Sequence, residues 1–267
     1  MLCQYFNKSR QAYYRSVRAQ EETNIKEATG IQLIQDIRKV LPRVGCRKLY
    51  HMLRKDFERL GLKLGRDKLF DLLRRKSLLI PRKRSYTKTT NSNHWYNRYK
   101  NQIKDLEITY PNQVFASDIT YIRVQGSFMY LSLVTDMCSR KIVGYCLSES
   151  LSAKGPLSAL KMAMRGVHEP DKLTHHSDRG IQYCCDDYTS YLKAKKVLIS
   201  MTEEDHVYEN ALAERVNGIL KDEFLLDERF SSEDLAQRAV REAVRYYNEL
   251  RPHMSLNYET PDQRYAA

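Results

Sequence analysis

Residues 111–150 decide the fold of this chain, and they read PNQVFASDITYIRVQGSFMYLSLVTDMCSRKIVGYCLSES. Three runs within them are rich in β-branched and aromatic residues, and these runs are 114–124, 127–137 and 141–150. Short turns separate the runs at Gln125-Gly126-Ser127 and Cys138-Ser139-Arg140. Runs of this length, bounded by turn residues, are typical of β-strands. The segment therefore predicts an antiparallel meander of three strands.

Helices and two short strands alternate after the meander. The predicted helices cover about 152–167, 186–196, 209–226 and 232–250, and the predicted strands are LTHHSD at 173–178 and VLISM at 197–201. A tail, RPHMSLNYETP, follows. The order of elements is that of an α/β domain of the ribonuclease H-like type. We expect this domain to span residues 111–267.

The first 82 residues have helical spacing instead. Pro42 and Gly45 divide the segment after Gly30, and Gly61 and Gly65 mark a turn before a further helix. The apolar positions with helical spacing are Ile31, Ile34, Ile37, Leu41, Leu49, Leu53, Phe57, Leu69, Leu72 and Leu73. The basic residues on the outer faces are Arg47, Lys48, Arg54, Lys55, Arg66, Lys68, Arg74 and Arg75. Short basic helices joined by turns favour a helix-turn-helix-like DNA-binding module over residues 1–82, although a basic bundle with no role in DNA reading fits the pattern too.

Positive charge is concentrated in the first part of the chain. The whole chain carries a formal charge of +12, but residues 1–110 hold 26 Lys and Arg against 10 Asp and Glu, whereas residues 111–267 hold 19 against 23. This division indicates a basic module for nucleic acid attached to a domain of different character. We expect residues 83–110 to form a basic and aromatic linker, which either lies along the phosphate backbone of DNA or is merely solvated. Around the start of this linker, the basic residues that we expect to contact DNA are Arg82, Lys83 and Arg84.

Two classes of protein are excluded by the sequence. No stretch approaches the roughly 18–20 apolar residues that a membrane-spanning helix needs, and the N-terminus lacks the apolar region of a secretion signal. The six cysteines form no CxxC pair, which argues against structural zinc and for free thiols in a reducing cytoplasm.

Acidic residues mark a predicted catalytic site. Asp118 interrupts an apolar strand, Asp178 follows a short strand, and Glu214 lies on the helix after it. Helical spacing places Asn210, Glu214, Asn217 and Lys221 on one polar face. Two divalent ions held by carboxylates can support phosphodiester chemistry. The residues alone leave Asp136 as a rival to the other three, although its place at a strand end favours a structural, turn-capping role.

Three motifs closely resemble the catalytic core of bacterial insertion-sequence transposases of the D-D-E type, which are related to retroviral integrases. The motifs are SDITYI, HHSDRGIQY and YENALAERVNGILKDEF. Thirty-five residues separate Asp178 from Glu214, which is the interval typical of that class. The ending YYNELRPHMSLNYETP and the segment GCRKLYHMLRKDFERLGLKLGRDKLFDLLRRKSLLIPRKR are similar to other parts of the same transposases. The resemblance is to the product of the second reading frame of such elements, for which the active enzyme is usually a fusion with the first.

The resemblance implies a role for each matching residue. Asp118, Asp178 and Glu214 would ligate two Mg²⁺ (or Mn²⁺) and catalyse cleavage and strand transfer at the ends of the element. Lys221 and Asn217 would contact DNA, and Asn217 would also shape the site together with the His175-His176 pair, for which zinc binding is the alternative. The tail residues Arg251, Pro252 and His253 would be structural.

Partners and competing functions follow from the same resemblance. We expect double-stranded DNA as the partner, both terminal inverted repeats and target, with a homo-oligomer formed on it. A first-frame protein with a helix-turn-helix and a leucine zipper is a further partner, and the location is the bacterial cytoplasm at the nucleoid. Two other functions compete: a non-catalytic regulator or inhibitor of transposition, and a ribonuclease H-type nuclease acting on hybrids.

Overall fold

A computed structural model describes residues 9–81, 99–203 and 210–267. The chain divides into two compact units, Met1–Arg82 and Lys83–Ala267. The basic residues Arg82, Lys83 and Arg84, which we expected to contact DNA, lie outside the described residues.

Three helices form the described part of the first unit: α1 (Arg10–Val40), α2 (Cys46–Arg59) and α3 (Arg66–Arg75). Helix α1 begins at Ser9, whose side chain accepts a hydrogen bond from the Ala12 amide, and it runs unbroken through Gly30. A Cβ atom at Gly30 would lie 3.2 Å from Leu62, so the absence of a side chain allows close packing there. Because Pro42 has no amide hydrogen for a further turn, the helix ends just before it.

The predicted apolar positions make the core of this unit. The fully or almost fully buried ones are Ile34, Leu41, Leu49, Leu53, Phe57, Leu69, Leu72 and Leu73, while Ile31 and Ile37 are half-buried. Helices α2 and α3 each bury one apolar stripe and leave their basic residues outside.

A five-stranded sheet forms the centre of the second unit. Its strands are β1 (Val114–Val124), β2 (Ser127–Asp136), β3 (Ile142–Ser148), β4 (Thr174–Ser177) and β5 (Leu198–Met201), in the spatial order β3-β2-β1-β4-β5. The first three are antiparallel, as predicted, and β4 and β5 are parallel to β1. This mixed sheet confirms the predicted ribonuclease H-like α/β fold.

Helices connect and cover the strands. They are α4 (Lys154–Ala163), α5 (Ile181–Cys184), α6 (Asp186–Ala194), α7 (Ala211–Glu223), α8 (Glu233–Glu249) and α9 (Pro261–Ala266). Helix α7 is shorter than the predicted 209–226, and residues 204–209 lie outside the described residues. The core against one face of the sheet includes Phe115, Leu160, Tyr188 and Met201.

Hydrogen bonds join the tail after α8 to α7, the helix that carries one of the predicted catalytic acids. The guanidinium of Arg251 is buried and donates two hydrogen bonds to Glu223, the last residue of α7, at 2.7 and 2.9 Å. A third bond joins it to His253 at 2.8 Å. Bidentate Arg–carboxylate pairs fix geometry as well as charge. A structural role for the tail is thus consistent with its contacts.

The sequence predicted that the chain has no membrane-spanning helix and that its cysteines are free thiols. No helix in the described residues is both long and apolar enough to cross a membrane. All cysteines within the described ranges, from Cys46 to Cys185, are free thiols.

Candidate active site

The end of the parallel ladder places two of the predicted acids side by side. The last paired residues of β1 and β4 are Ser117 and Ser177, and the next residue along each strand is Asp118 or Asp178. Neighbouring strands lie about 4.8 Å apart. The backbones of the two aspartates are therefore adjacent at one edge of the sheet.

The turn after β4 is fitted to the carboxylate of Asp178. The Gly180 amide donates a hydrogen bond of 2.9 Å to its Oδ1. A Cβ atom at position 180 would lie at the same distance, 2.9 Å, from that oxygen, which is closer than side-chain carbons normally come. Glycine at this position thus allows the backbone to approach the carboxylate.

Helix α7 brings its predicted polar face to β1. The side chain of Asn210 donates to the Ser117 carbonyl at 3.2 Å, and the side chain of Asn217 donates to Asp118 Oδ2 at 2.7 Å. Both asparagines are buried, while Glu214, which lies between them on the helix, is exposed. The prediction of one polar face directed at the sheet edge is confirmed for these two asparagines.

The charges of the other two acids reach Asp118. Burial is the main cause that raises the pKa of Asp118 to about 7, and the nearby charge of Asp178 raises it further, with a smaller contribution from Glu214. Hydrogen bonds from Asn217 and from the Ile119 amide act in the opposite direction. A carboxyl group with two like charges nearby favours protonation or a bound cation.

The donor atoms at this edge suit a hard divalent cation, because carboxylate oxygens are the ligands that Mg²⁺ and Mn²⁺ prefer. Within the described ranges, no three His, Cys, Asp or Glu side chains are already grouped closely enough to hold a metal ion. The chemistry of the residues fits a metal centre.

Lys221 lies two turns beyond Glu214 on the same helix. Its ammonium nitrogen is 3.8 Å from the centre of the Tyr121 ring. Burial is the main cause that lowers its pKa, the charges of Asp227 and Asp118 raise it, and that of Arg123 lowers it. The cation is therefore within electrostatic range of the Asp118 carboxylate.

The two histidines before Asp178 are buried, and each lies within hydrogen-bond distance of at least one hydroxyl group. His175 Nε2 is 2.8 Å from Ser117 Oγ and 2.9 Å from the Tyr188 hydroxyl, and His176 Nδ1 is 2.8 Å from Ser200 Oγ. Burial, and then the neighbouring His176, lower the pKa of His175 to about 3, so its ring is neutral. These contacts join β4 to β1, to α6 and to β5 next to Asp118 and Asp178. The alternative of a zinc site gains no support from the described residues.

Asp136 has the turn-capping role that its position predicted. Its Oδ1 accepts hydrogen bonds from the amide and hydroxyl of Ser139 at 2.7 and 2.6 Å, and its Oδ2 accepts one from the Asn112 amide at 2.7 Å. Burial raises its pKa, and these bonds oppose that rise. Both oxygens of the Asp136 carboxylate thus accept hydrogen bonds, at the end of β2 away from the β1–β2 hairpin.

The basic residues predicted on the first unit are mostly on its surface. Seven of the eight are exposed and Lys48 is half-buried. Three have acidic partners: Arg66 with Asp67, Arg74 with Asp71 and Arg75 with Glu27, at 3.0, 2.6 and 3.0 Å. The first two are exposed ion pairs, which are weak, about 0–1 kcal/mol, and can exchange for phosphate.

Sequence reasoning did not identify several residues around the site. Ser117, Tyr188 and Ser200 hold the histidine pair, and Tyr121 supports Lys221. The alternation of β1 does place Ser117 and Tyr121 on one face. The partners of these side chains come from distant segments, so no local pattern could have revealed the contacts.

Comparisons with known proteins agree with this fold. Two family models, each described as an integrase core domain, match residues 109–206 and 195–261. A chain in the cryo-electron microscopy structure of the simian T-cell lymphotropic virus intasome, in complex with PP2A regulatory subunit B56 gamma, has a TM-score of 0.53 at 17% identity. The match covers 84% of this chain and 75% of that one. The second unit is thus an α/β domain of the retroviral integrase type.

Curated relatives give the narrower assignment. The insertion element IS600 uncharacterized 31 kDa protein of Shigella sonnei is 33% identical over 264 residues, covering 97% of this chain and 96% of that protein. Transposase InsF for insertion sequence IS3A, from Escherichia coli strain K12, is 32% identical over 193 residues, covering 72% of this chain and 67% of that protein. The chain belongs to this family of insertion-sequence transposases.

Proposed function

We propose that the chain is a transposase that cleaves DNA at the ends of an insertion sequence and joins those ends to target DNA. The proposal rests chiefly on one observation: Asp118 and Asp178 directly follow the last pair of the β1–β4 parallel ladder, and the charges of Asp178 and Glu214 both bear on Asp118. An edge of this kind concentrates negative charge, which attracts divalent cations. Without such cations it would repel the phosphates of DNA. No observation in the described residues favours a regulator without catalysis.

The three acids are the proposed metal ligands and catalytic residues. Asp118, Asp178 and Glu214 would hold two Mg²⁺ (or Mn²⁺). When bound, such ions activate a nucleophilic oxygen and stabilise the leaving oxygen in phosphodiester chemistry. Binding requires Asp118 to lose its proton, and the hydrogen bonds that Asn217 donates to Oδ2 and the Ile119 amide donates to Oδ1 would keep the carboxylate in a fixed orientation.

The reaction consists of two successive displacements at phosphorus. Water attacks the phosphate at the element's end, the bond from phosphorus to the 3′ oxygen breaks, and that oxygen leaves as a 3′-hydroxyl. The freed hydroxyl then attacks a target phosphodiester, forming one bond to phosphorus and breaking another. The ammonium of Lys221 would contact a phosphate beside the reacting end, because this cation lies within electrostatic range of Asp118.

DNA contacts away from the reacting phosphate are assigned to the first unit. Its exposed cations, among them Arg54 and Lys55, would bind the phosphate backbone of the terminal repeats. Residues 83–110 would join this module to the catalytic domain of residues 111–267. We further propose a homo-oligomer on DNA, a first-frame partner or fusion, and action at the nucleoid in the bacterial cytoplasm.

The direct test is strand transfer on an oligonucleotide that carries the element's terminal repeat. Asp118→Asn, Asp178→Asn and Glu214→Gln should each abolish joining in Mg²⁺ and in Mn²⁺. Asp136→Asn is the matched control, a buried aspartate of the same sheet that caps a turn, and it should keep joining activity apart from any loss of stability. Joining that persists in two of the three acid variants would refute the ligand assignment.

A further inference from the structure

A groove lies at the hairpin end of β1 and β2, beyond the carboxylates. Its volume is about 670 Å³, and Tyr121, Arg123, Phe128, Tyr130 and Arg229 line it together with the turn at Gly126. β4 pairs with β1 only as far as Ser117, so this stretch of β1 has left the parallel part of the sheet. The proposed catalytic chemistry uses none of these five side chains.

Cross-strand pairing puts the aromatic side chains on one face of the hairpin. Tyr121 is opposite Tyr130, and Arg123 is opposite Phe128. The rings of Tyr121 and Phe128 meet edge to face, with centroids 5.6 Å apart. Phe128 is nevertheless 52% exposed, so a large apolar ring remains open to a ligand. Open aromatic rings of this kind are stacking platforms for nucleic-acid bases.

Cations surround these rings. The segment after α7 runs beside β1, where the Phe230 amide donates to the Arg123 carbonyl at 2.9 Å and the Gln125 amide donates to the Phe230 carbonyl at 2.8 Å. This pairing holds Arg229 at the groove, where its side chain is exposed. Alternating aromatic and basic side chains match a ligand with flat bases and a charged backbone.

Lys221 is a neighbour of both the groove and the carboxylate edge. The ammonium of Lys221 lies over the ring of Tyr121, which lines the groove, and the same ammonium is within electrostatic range of Asp118. Tyr121 is three residues beyond Asp118 on β1, so the two side chains lie on opposite faces of the strand, and Lys221 is the contact that links them. β4 does not pair with β1 beyond Ser117, so a DNA strand whose phosphate lies at the carboxylates would pass Lys221 at this edge of β1 to reach the groove.

We propose that this groove binds unpaired nucleotides of a DNA strand next to the reacting phosphate, with a base stacked on Phe128 and phosphates held by Arg123 and Arg229. The inference rests on the proposed function, since it takes the DNA at the carboxylates as given. Stacking tolerates any base, so the groove would favour single-stranded over paired DNA without reading sequence. Its effect would be to hold an opened DNA end in place.

Binding of two related probes to the full chain tests this. One probe is a duplex with a single-stranded extension of about 8 nucleotides, within the site size of single-strand binding folds, and the other is the same duplex with blunt ends. Fluorescence anisotropy without added divalent ions gives the ratio of the two dissociation constants. We expect wild-type protein to prefer the extended probe about tenfold, in line with stacking of one base. Phe128→Ala and Arg229→Ala should each bring the ratio close to one.

Matched variants separate stacking from general damage. Phe128→Tyr keeps a ring and should keep the preference. Arg245→Ala removes another exposed arginine of the same unit, one that lies over Tyr246, and should leave the ratio unchanged. An unchanged ratio in both Phe128→Ala and Arg229→Ala, or no preference in the wild type, would overturn the inference. Strand transfer by the same preparations reports on the proposed function independently.

Discussion

At the scale of single residues, the site is a crowded pair of carboxylates held by neutral groups. Asn217 bonds Asp118, and the Ser117–His175–Tyr188 contacts lie next to it. Because His175 is neutral, it offers no positive charge to offset the acids. None of these bonding groups supplies a positive charge, and Lys221 is a nearby cation that the structure identifies.

The burial of Asp118, together with the nearby charge of Asp178, makes stability depend on pH. The folded-state pKa of Asp118 is about 7, well above its ordinary value near 3.9, so between these values the native state holds a proton that the unfolded chain has lost. Its contribution to stability is therefore favourable at low pH and is lost as pH rises towards 7. Since Asn cannot ionise, Asp118→Asn should gain melting temperature over wild type as pH rises from about 5 to about 8 in metal-free buffer.

Differential scanning fluorimetry in the presence of a chelator measures this gain. Asp105→Asn changes an exposed aspartate of the same unit and should differ from wild type by less than about 0.5 kcal/mol at every pH. A gap between Asp118→Asn and wild type that stays constant with pH would contradict the account of the crowded carboxyl.

At the scale of elements, the sequence predicted what repeats locally. The three antiparallel strands and the buried stripes of α2 and α3 follow from alternation and helical spacing, and the structure has them. The pairing of β1 with β4 could not be read from any pattern, since it joins segments about sixty residues apart. The groove escaped prediction for a related reason: only the register of the hairpin shows that Tyr121 and Tyr130 are neighbours.

Helix α2 carries the prediction for DNA binding by the first unit. If Arg54 and Lys55 each contact a phosphate, their joint replacement by alanine should reduce the slope of log K against log salt by about 2 for a duplex. Titrations of the full chain over a range of salt give this slope. Arg59→Ala removes a cation of the same helix that pairs with Asp56 at 3.4 Å and was not assigned to DNA, so the slope should not change. Equal slopes for the double variant and wild type would remove α2 from the interface.

At the scale of the whole molecule, the charge of +12 combines a strongly basic part, residues 1–110, with a slightly acidic part, residues 111–267. The first unit is basic, and the second unit gathers acids at one edge of its sheet. The proposed reaction requires both. The basic unit would attract the phosphates of DNA, and the acidic edge would hold the cations that contact the reacting phosphate. The family resemblance supplied the choice of Asp118, Asp178 and Glu214 over Asp136, and the turn-capping bonds of Asp136 agree with that choice.

A change of metal specificity tests the central claim, that these acids bind the catalytic ions, most directly. A thiolate is a poor ligand for Mg²⁺ and a better one for softer ions such as Mn²⁺. Asp178→Cys should therefore lose strand transfer in Mg²⁺ and regain part of it in Mn²⁺, while wild type is active in both. Full activity of Asp178→Cys in Mg²⁺ would contradict the assignment of this carboxylate as a metal ligand.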